Sequence, residues 1–129
     1  MYINAESSET NSTTDKSQEL TVWFKALAHP TRLAILDLLR NGEQCVCHLE
    51  AYLGCRQAYI SQQLSVLREA DLIQDNRDGL NIYYRIHRPE VFALIDVARI
   101  IIGIPAVPNP VNQSRVVCPC PKCASKSDL

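Results

Sequence analysis

The sequence carries no excess of charge of either sign: 13 Lys and Arg stand against 14 Asp and Glu, for a net charge of -1. That excludes a uniformly basic protein that coats nucleic acid, although a reader of duplex DNA needs only a local basic surface. Long apolar runs are also missing. The longest, from Ile100 to Ile104, falls far short of the roughly 20 residues that cross a bilayer as a helix. No charged-then-apolar signal segment opens the chain, and no internal repeat is visible. These absences give the expectation of a cytoplasmic protein with no membrane partner. What the chain does have is cysteine, six in 129 residues. In a reducing compartment such thiols more often bind metal or sense redox state than form structural disulfides. Length and a hydrophobic content of 47% allow one domain with a real core.

Three regions are expected. Residues 1–17 are polar, rich in Ser, Thr, Asn and acids, and read as a flexible leader. Residues 18–103 hold the folded domain, and 104–129 a proline-broken, cysteine-rich tail. Within the domain, Leu20, Trp23, Phe24 and Leu27 recur at helical spacing from Ser17 onward. His29-Pro30 interrupts that helix, and Thr31 is placed to cap a second one carrying Leu33, Ile35, Leu36, Leu38 and Leu39. Asn41-Gly42 ends it. A short third helix runs from Cys45 to Tyr52, closed by Gly54, and a fourth from Arg56 to Ala70 turns Ile60, Leu64 and Leu67 inward. The period then changes. Residues 72–76 and 80–86 read as strands joined through Asp78-Gly79, a hairpin signal. Pro89 opens a fifth helix, Glu90 to Ile102, stopped by Gly103 and the prolines beyond it.

Four helices, a two-stranded hairpin and a closing helix make a mainly α fold with a small β wing, the order of a winged helix-turn-helix. The fourth helix presents Arg56, Gln57, Tyr59, Ser61, Gln62 and Gln63 near its N-terminus, the end that enters a major groove. Gln pairs with adenine and Arg with guanine through two hydrogen bonds each. In the hairpin Arg77 and Arg85 suit phosphates, and Asn81 a groove edge. For Tyr59 a place half in the core is as well supported as a DNA contact.

Glu43-Gln44-Cys45-Val46-Cys47-His48-Leu49 sets two thiols two residues apart just before the third helix. On an ideal helix such residues point about 200° apart, so both reach one ion only if Cys45 lies before the helix or its start is loosened. Thiolates favour soft ions. Three would suit arsenite, antimonite or lead, and four cadmium or zinc. No organic cofactor is expected. The alternative use of the pair is as small buried side chains. Cys118, Cys120 and Cys123 lie in the tail, which at about 3.3 Å per residue reaches back to its own domain or a partner's. They join Cys45 and Cys47, form a separate cluster, or are disordered with no ligand role.

The stretches Ala28 to Leu36, Cys45-Val46-Cys47, Ile60 to Ile73, Gly79 and Tyr83-Tyr84, in that order, resemble the ArsR/SmtB family of metal-responsive repressors over roughly residues 20–102. The resemblance implies that Cys45 and Cys47 are inducer ligands whose occupation weakens the hold on operator DNA. Cys55 stands where the family usually has an apolar plug between helices and is the weaker ligand candidate. His48 replaces a usual acidic residue. Arg56 stands where the family often caps the reading helix with Ser, and no His accompanies Gln62 or Gln63, so operator preference does not carry over. At the family's second metal site the matching positions are Arg88, Glu90, Ile101 and Ile104, three of which cannot bind zinc.

A homodimer is expected, because operators are usually two half-sites and Trp23, Leu27, Leu94, Ile95 and Ala98 otherwise leave an apolar patch. The functional expectation is a DNA-binding repressor released by a thiophilic metal or metalloid. A repressor whose thiols form a disulfide or persulfide is the alternative. An enzyme is not expected, since Cys120-Pro121-Lys122-Cys123 has redox spacing but lies in a tail without a fold around it.

Overall fold

The computed structural model describes residues 11–104. Its elements run α1 (Asn11–Leu27), α2 (Pro30–Leu39), β1 (Gln44–Cys45), α3 (Val46–Leu53), α4 (Gln57–Glu69), β2 (Ile73–Asp78), β3 (Asn81–Ile86) and α5 (Val91–Ile102). The winged helix-turn-helix order is as expected, with four differences.

The first helix begins at Asn11, so residues 11–17 are helical rather than part of a flexible leader. Asp15 to Leu20 are all exposed, and Thr21 Oγ1 donates to the Ser17 carbonyl at 3.1 Å. A helix whose outer turns stay solvated needs no apolar residues there, so the polar sequence concealed it. Second, α2 is capped by His29 rather than Thr31. Pro30 occupies the first turn, where its missing N–H costs nothing, and His29 Nδ1 accepts from the Thr31 N–H at 3.2 Å. Third, Gln44 and Cys45 form a strand. The sheet is three-stranded and antiparallel, ordered β1-β3-β2, with Gln44 opposite Tyr84 and Cys45 opposite Tyr83.

The hairpin pairs β2 with β3 from Ile73–Ile86 out to Asp78–Asn81. Its two-residue loop is therefore Gly79-Leu80, one position later than Asp78-Gly79. Gly79 takes φ +65°, which a two-residue hairpin loop requires at its first position, and Leu80 is 99% exposed at the tip. Gly54 ends α3 in the left-handed region at φ 67°.

The core lies where α2, α3, α4 and the base of the sheet meet. Ile35, Leu36, Leu49, Ile60, Leu67 and Leu72 are fully buried there. The closing helix α5 adds Val91 and Ile95 and is tied to α2 by charge. Arg40 grips Asp96 through two hydrogen bonds of 3.0 and 2.9 Å, and Arg99 grips Asp37 through two of 3.1 and 2.6 Å. The Arg40 guanidinium also lies 4.1 Å over the Phe92 ring. No helix among the described residues is long and apolar enough to cross a membrane.

The Arg40 hydrogen bonds hold the Asp96 carboxyl below its ordinary range, and those from Arg99 to Asp37 raise the Arg99 value. A depressed folded-state value stabilises above the unfolded one of about 3.9, and that contribution is lost as pH falls through the folded value. Thermal melts of wild type and Asp96→Asn should therefore differ at neutral pH and converge as the pH drops below about 4. A double-mutant cycle of Arg40→Ala with Asp96→Ala should give a coupling of about 1 kcal/mol, smaller in high salt.

Candidate DNA-reading surface and thiol site

Helix α4, expected from the sequence to read DNA, buries Ile60, Leu64 and Leu67 and leaves Gln57, Tyr59, Ser61 and Gln62 exposed, as is Arg56 at its N-cap. Gln63 does not belong with them. It is buried, and its Oε1 accepts from Arg32 Nη1 at 2.7 Å. The same guanidinium donates to the Ala26 and Lys25 carbonyls at 2.6 and 3.1 Å, satisfying the end of α1. One arginine thus joins α1, α2 and α4, and Gln63 fixes the reading helix instead of reading. The helical spacing of Gln63 with Ile60, Leu64 and Leu67 already carried that signal.

Tyr59 has a further set of contacts. Its hydroxyl lies 3.3 Å from His29 Nε2 and 3.4 Å from Thr31 Oγ1. Because His29 Nδ1 accepts the Thr31 N–H, a neutral ring carries its proton on Nε2 and donates to the Tyr59 oxygen. The N-terminus of α2 therefore orients a side chain on the reading helix. His29, read from sequence as a helix boundary, is part of the site's support.

Opposed residues of a strand pair share a face, and neighbours alternate. Asn81, Tyr83 and Arg85 thus lie on one face of β3, whereas Arg77, opposite Ile82, lies on the other. Arg77 and Arg85 are both exposed, and Arg85 Nη2 donates to Gln74 Oε1 at 3.4 Å. Arg68 of α4 and Asp75 of β2 form an ion pair at 3.6 Å that braces the helix against the wing. Burial, and after it the Asp75 charge, push the Tyr84 phenol above its ordinary value, so Tyr84 stays protonated between them.

The thiols meet. Cys45 is the N-cap of α3, in extended backbone at φ -86°, ψ 160°, and its Sγ accepts the His48 N–H at 3.2 Å. Lying just before the helix, it escapes the 200° divergence, and its sulfur comes to 2.7 Å from that of Cys47. Cys45 is buried and Cys47 half-buried, and both pack on the buried ring of Tyr83. His48 is buried as well and stacks on Tyr52 with ring centroids 6.4 Å apart. Cys55, half-buried at the turn into α4, donates to the Leu53 carbonyl at 3.6 Å. Among the described residues no three His, Cys, Asp or Glu side chains converge to hold a metal ion. Cys118, Cys120 and Cys123 lie outside the described residues.

The residues expected at a dimer contact are divided. Leu27 and Ile95 are buried in the protomer's own core, Trp23 and Leu94 are half-buried, and Ala98 is exposed. The exposed large apolar residues of α1 and α5 are Leu20, Val22, Phe24, Val97, Ile100, Ile101 and Ile102, beside a groove of about 350 Å³ whose lining includes Leu27, Leu94, Ile95 and Ala98. The Trp23 indole N–H is buried without a hydrogen-bond partner beneath the Arg88 guanidinium.

Residues 29–75 match the family described as bacterial regulatory protein, arsR family. The chain is 41% identical over 81 residues to a biofilm growth-associated repressor of Agrobacterium fabrum, covering 63% of this chain and 69% of the relative. It is 46% identical over 74 residues to an arsenic resistance transcriptional regulator of Pseudomonas putida, covering 57% of each. A homodimeric winged helix-turn-helix DNA-binding domain from Mycobacterium bovis superposes with a TM-score of 0.67 at 28% identity, over 76% of this chain and 91% of that one.

The two neighbouring glutamines should separate cleanly in thermal melts. Gln63→Ala removes a buried bond to a charged group, costing about 1–2 kcal/mol or roughly 5–10 °C in Tm. Gln62→Ala, at an exposed position, should leave Tm within about 2 °C.

Proposed function

This chain belongs to the ArsR family of bacterial regulatory proteins, DNA-binding transcriptional regulators rather than enzymes, and from that membership we propose a repressor that leaves its operator when a thiophilic ion occupies Cys45 and Cys47. The observation that carries this reading is the 2.7 Å approach of the two sulfurs at the junction of α3 and the wing. Two soft donors brought to one place can both reach a soft ion and suit a hard one poorly. The candidate ions are arsenite, antimonite, cadmium, lead and zinc. A relative's role in arsenic resistance supports the metalloid side of that range. Two thiolates do not complete a site, and Cys118, Cys120 and Cys123 are the proposed additional donors.

On the DNA side, Arg56, Gln57, Ser61 and Gln62 are the proposed groove readers. Arg77, Asn81 and Arg85 are the proposed wing contacts, and Tyr59 is a contact held in place by His29. Groove bonds of the Gln or Arg type discriminate between bases by about 1–3 kcal/mol each. The protein acts as a homodimer through the outer faces of α1 and α5. A homodimeric neighbour and seven exposed large apolar residues on these two helices support that arrangement. Sedimentation at micromolar concentration should give a dimer, and Ile101→Asp should give a monomer that still folds.

The deciding experiment is operator binding of the reduced protein against arsenite, antimonite, Cd2+, Pb2+ and Zn2+, repeated with an oxidant and no metal. Release by an ion and none by the oxidant supports metal sensing. Release by the oxidant alone supports the alternative, in which the adjacent thiols give up two electrons and two protons to form a disulfide. Cys45→Ser and Cys47→Ser should bind the operator as wild type does but lose the ion response, which in wild type should be a roughly 5- to 150-fold loss of affinity. Replacing Cys118, Cys120 and Cys123 together should weaken ion binding without lowering Tm. An unchanged titration midpoint would remove the tail from the ligand set.

A further inference from the structure

We infer that Arg32 is a positioning residue through which α1, the helix turned toward a partner protomer, sets the seating of α4. A protomer then reads a half-site better when paired than when alone. The homodimer proposed above is the premise, and three observations carry the inference.

Helix α1 is held to its own protomer chiefly at one end. From Asp15 onward, Ala26 and Leu27 are buried, Trp23 is half-buried and the other residues of the helix are exposed. Further back, the Arg88 guanidinium lies 5.0 Å over the Trp23 ring and 3.6 Å from Glu19, a partly exposed pair of modest strength. Helices in proteins owe most of their stability to a packed apolar face. Leu20, Val22 and Phe24 are exposed within the protomer, so the body of α1 depends on the partner for that support.

The anchored end of α1 is closed by Arg32. Its guanidinium donates to the Ala26 and Lys25 carbonyls at 2.6 and 3.1 Å, using acceptors that a helix end leaves open. A third bond from the same planar group, 2.7 Å to Gln63 Oε1, passes to α4. A rigid fork cannot follow a shift of the two carbonyls without changing its line to Gln63.

Gln63 is where such a shift counts. It is buried, its neighbour Gln62 is exposed, and Tyr59 lies one turn earlier on the same face. Two other sets of polar contacts hold α4, from Tyr59 to His29 and Thr31 and from Arg68 to Asp75 on the wing. Both start from exposed side chains of α4, and neither reaches α1. Ile60, Leu64 and Leu67 hold the helix down, but apolar contact is non-directional, and the Arg32 bond adds control of its rotation.

The test uses full-length wild type, Ile101→Asp, Gln63→Met, Gln63→Glu and the double variant of Ile101→Asp with Gln63→Met. Each is bound to a duplex carrying one half-site and to a scrambled duplex of equal length, so that gripping two half-sites plays no part. The ratio of the two affinities measures reading, while sedimentation and thermal melts report pairing and fold. Ile101 is 78% exposed, so its replacement removes the partner and not the core. Ile101→Asp should lower the ratio by about 5-fold or more. Gln63→Met, close in shape but without the acceptor, should lower it similarly while still a dimer. Adding Ile101→Asp should then change it by less than about 2-fold. Gln63→Glu, which keeps an acceptor for Arg32, should read as wild type.

An unchanged ratio in monomeric Ile101→Asp would overturn the inference, as would losses that multiply in full in the double variant. Should Gln63→Met not fold, the Arg32 Nε–H signal in nitrogen NMR spectra decides. It should shift between wild type and Ile101→Asp, and an unmoved signal sinks the link through Arg32. Wild type that sediments as a monomer, or Ile101→Asp that stays a dimer, would instead overturn the dimer reading. Wild type that does not distinguish the two duplexes would remove the reading role of α4. Either result takes this inference with it.

Discussion

Two strand pairings, Gln44 with Tyr84 and Cys45 with Tyr83, determine what the rest of this fold is able to do. Without them the thiol motif would be a loop leading into a short helix, and the wing an isolated hairpin, marginal in water. With them, residues at either end of the helix-turn-helix belong to one sheet. The pairing holds Cys45 in extended backbone, which makes it the cap of α3 rather than its first turn. Only from that position does its sulfur reach Cys47. Backbone hydrogen bonding thus produces the chemical feature on which a thiol response depends.

Much of the fold was legible because its signals are periodic. Ile60, Leu64 and Leu67 mark the inner face of α4, Gly54 and Gly103 end their helices in the left-handed region, and the hairpin follows from Gly79 between two alternating runs. Strand β1 was not legible because two residues have no period. Its existence depends on Tyr83 and Tyr84, about 40 positions further on. Gln63 was misassigned for a different reason. Its residue type suggested DNA reading, while its place in the apolar stripe required burial, and here position decided over type. The apolar faces of α1 and α5 were visible as stripes, but a stripe does not say what covers it. Leu27 and Ile95 turn to the protomer's own core, and Phe24, Val97 and Ile101 do not.

The charges follow a similar division. A net charge of -1 hides a local arrangement in which Asp37, Arg40, Asp96 and Arg99 form two bidentate pairs between α2 and α5. Each pair is partly exposed and contributes modestly to stability. Their value lies in direction, since the planar fork of Arg fixes orientation better than apolar contact does. Helix α5 carries Val91 and Ile95 inward, Val97 and Ile101 outward, and this polar seam between. The seam sets which apolar face is left for a partner.

Release of DNA by an effector requires two states that differ in affinity, and the described elements differ in how they are held. Helix α4 is held by three fully buried side chains and the bond from Arg32 to Gln63, and the Arg68–Asp75 ion pair ties it to the wing. Toward its tip the wing is a two-stranded ladder, and its tip residue Leu80 is nearly fully exposed. A coupling of about 1–3 kcal/mol is enough to shift affinity by one to two orders of magnitude. That is small beside the cost of disturbing the main core, where losing one buried Leu costs about 2–5 kcal/mol. It is comparable to a few contacts in a cluster of two thiols and one tyrosine. The thiols sit in that smaller cluster, apart from the main core that holds α4.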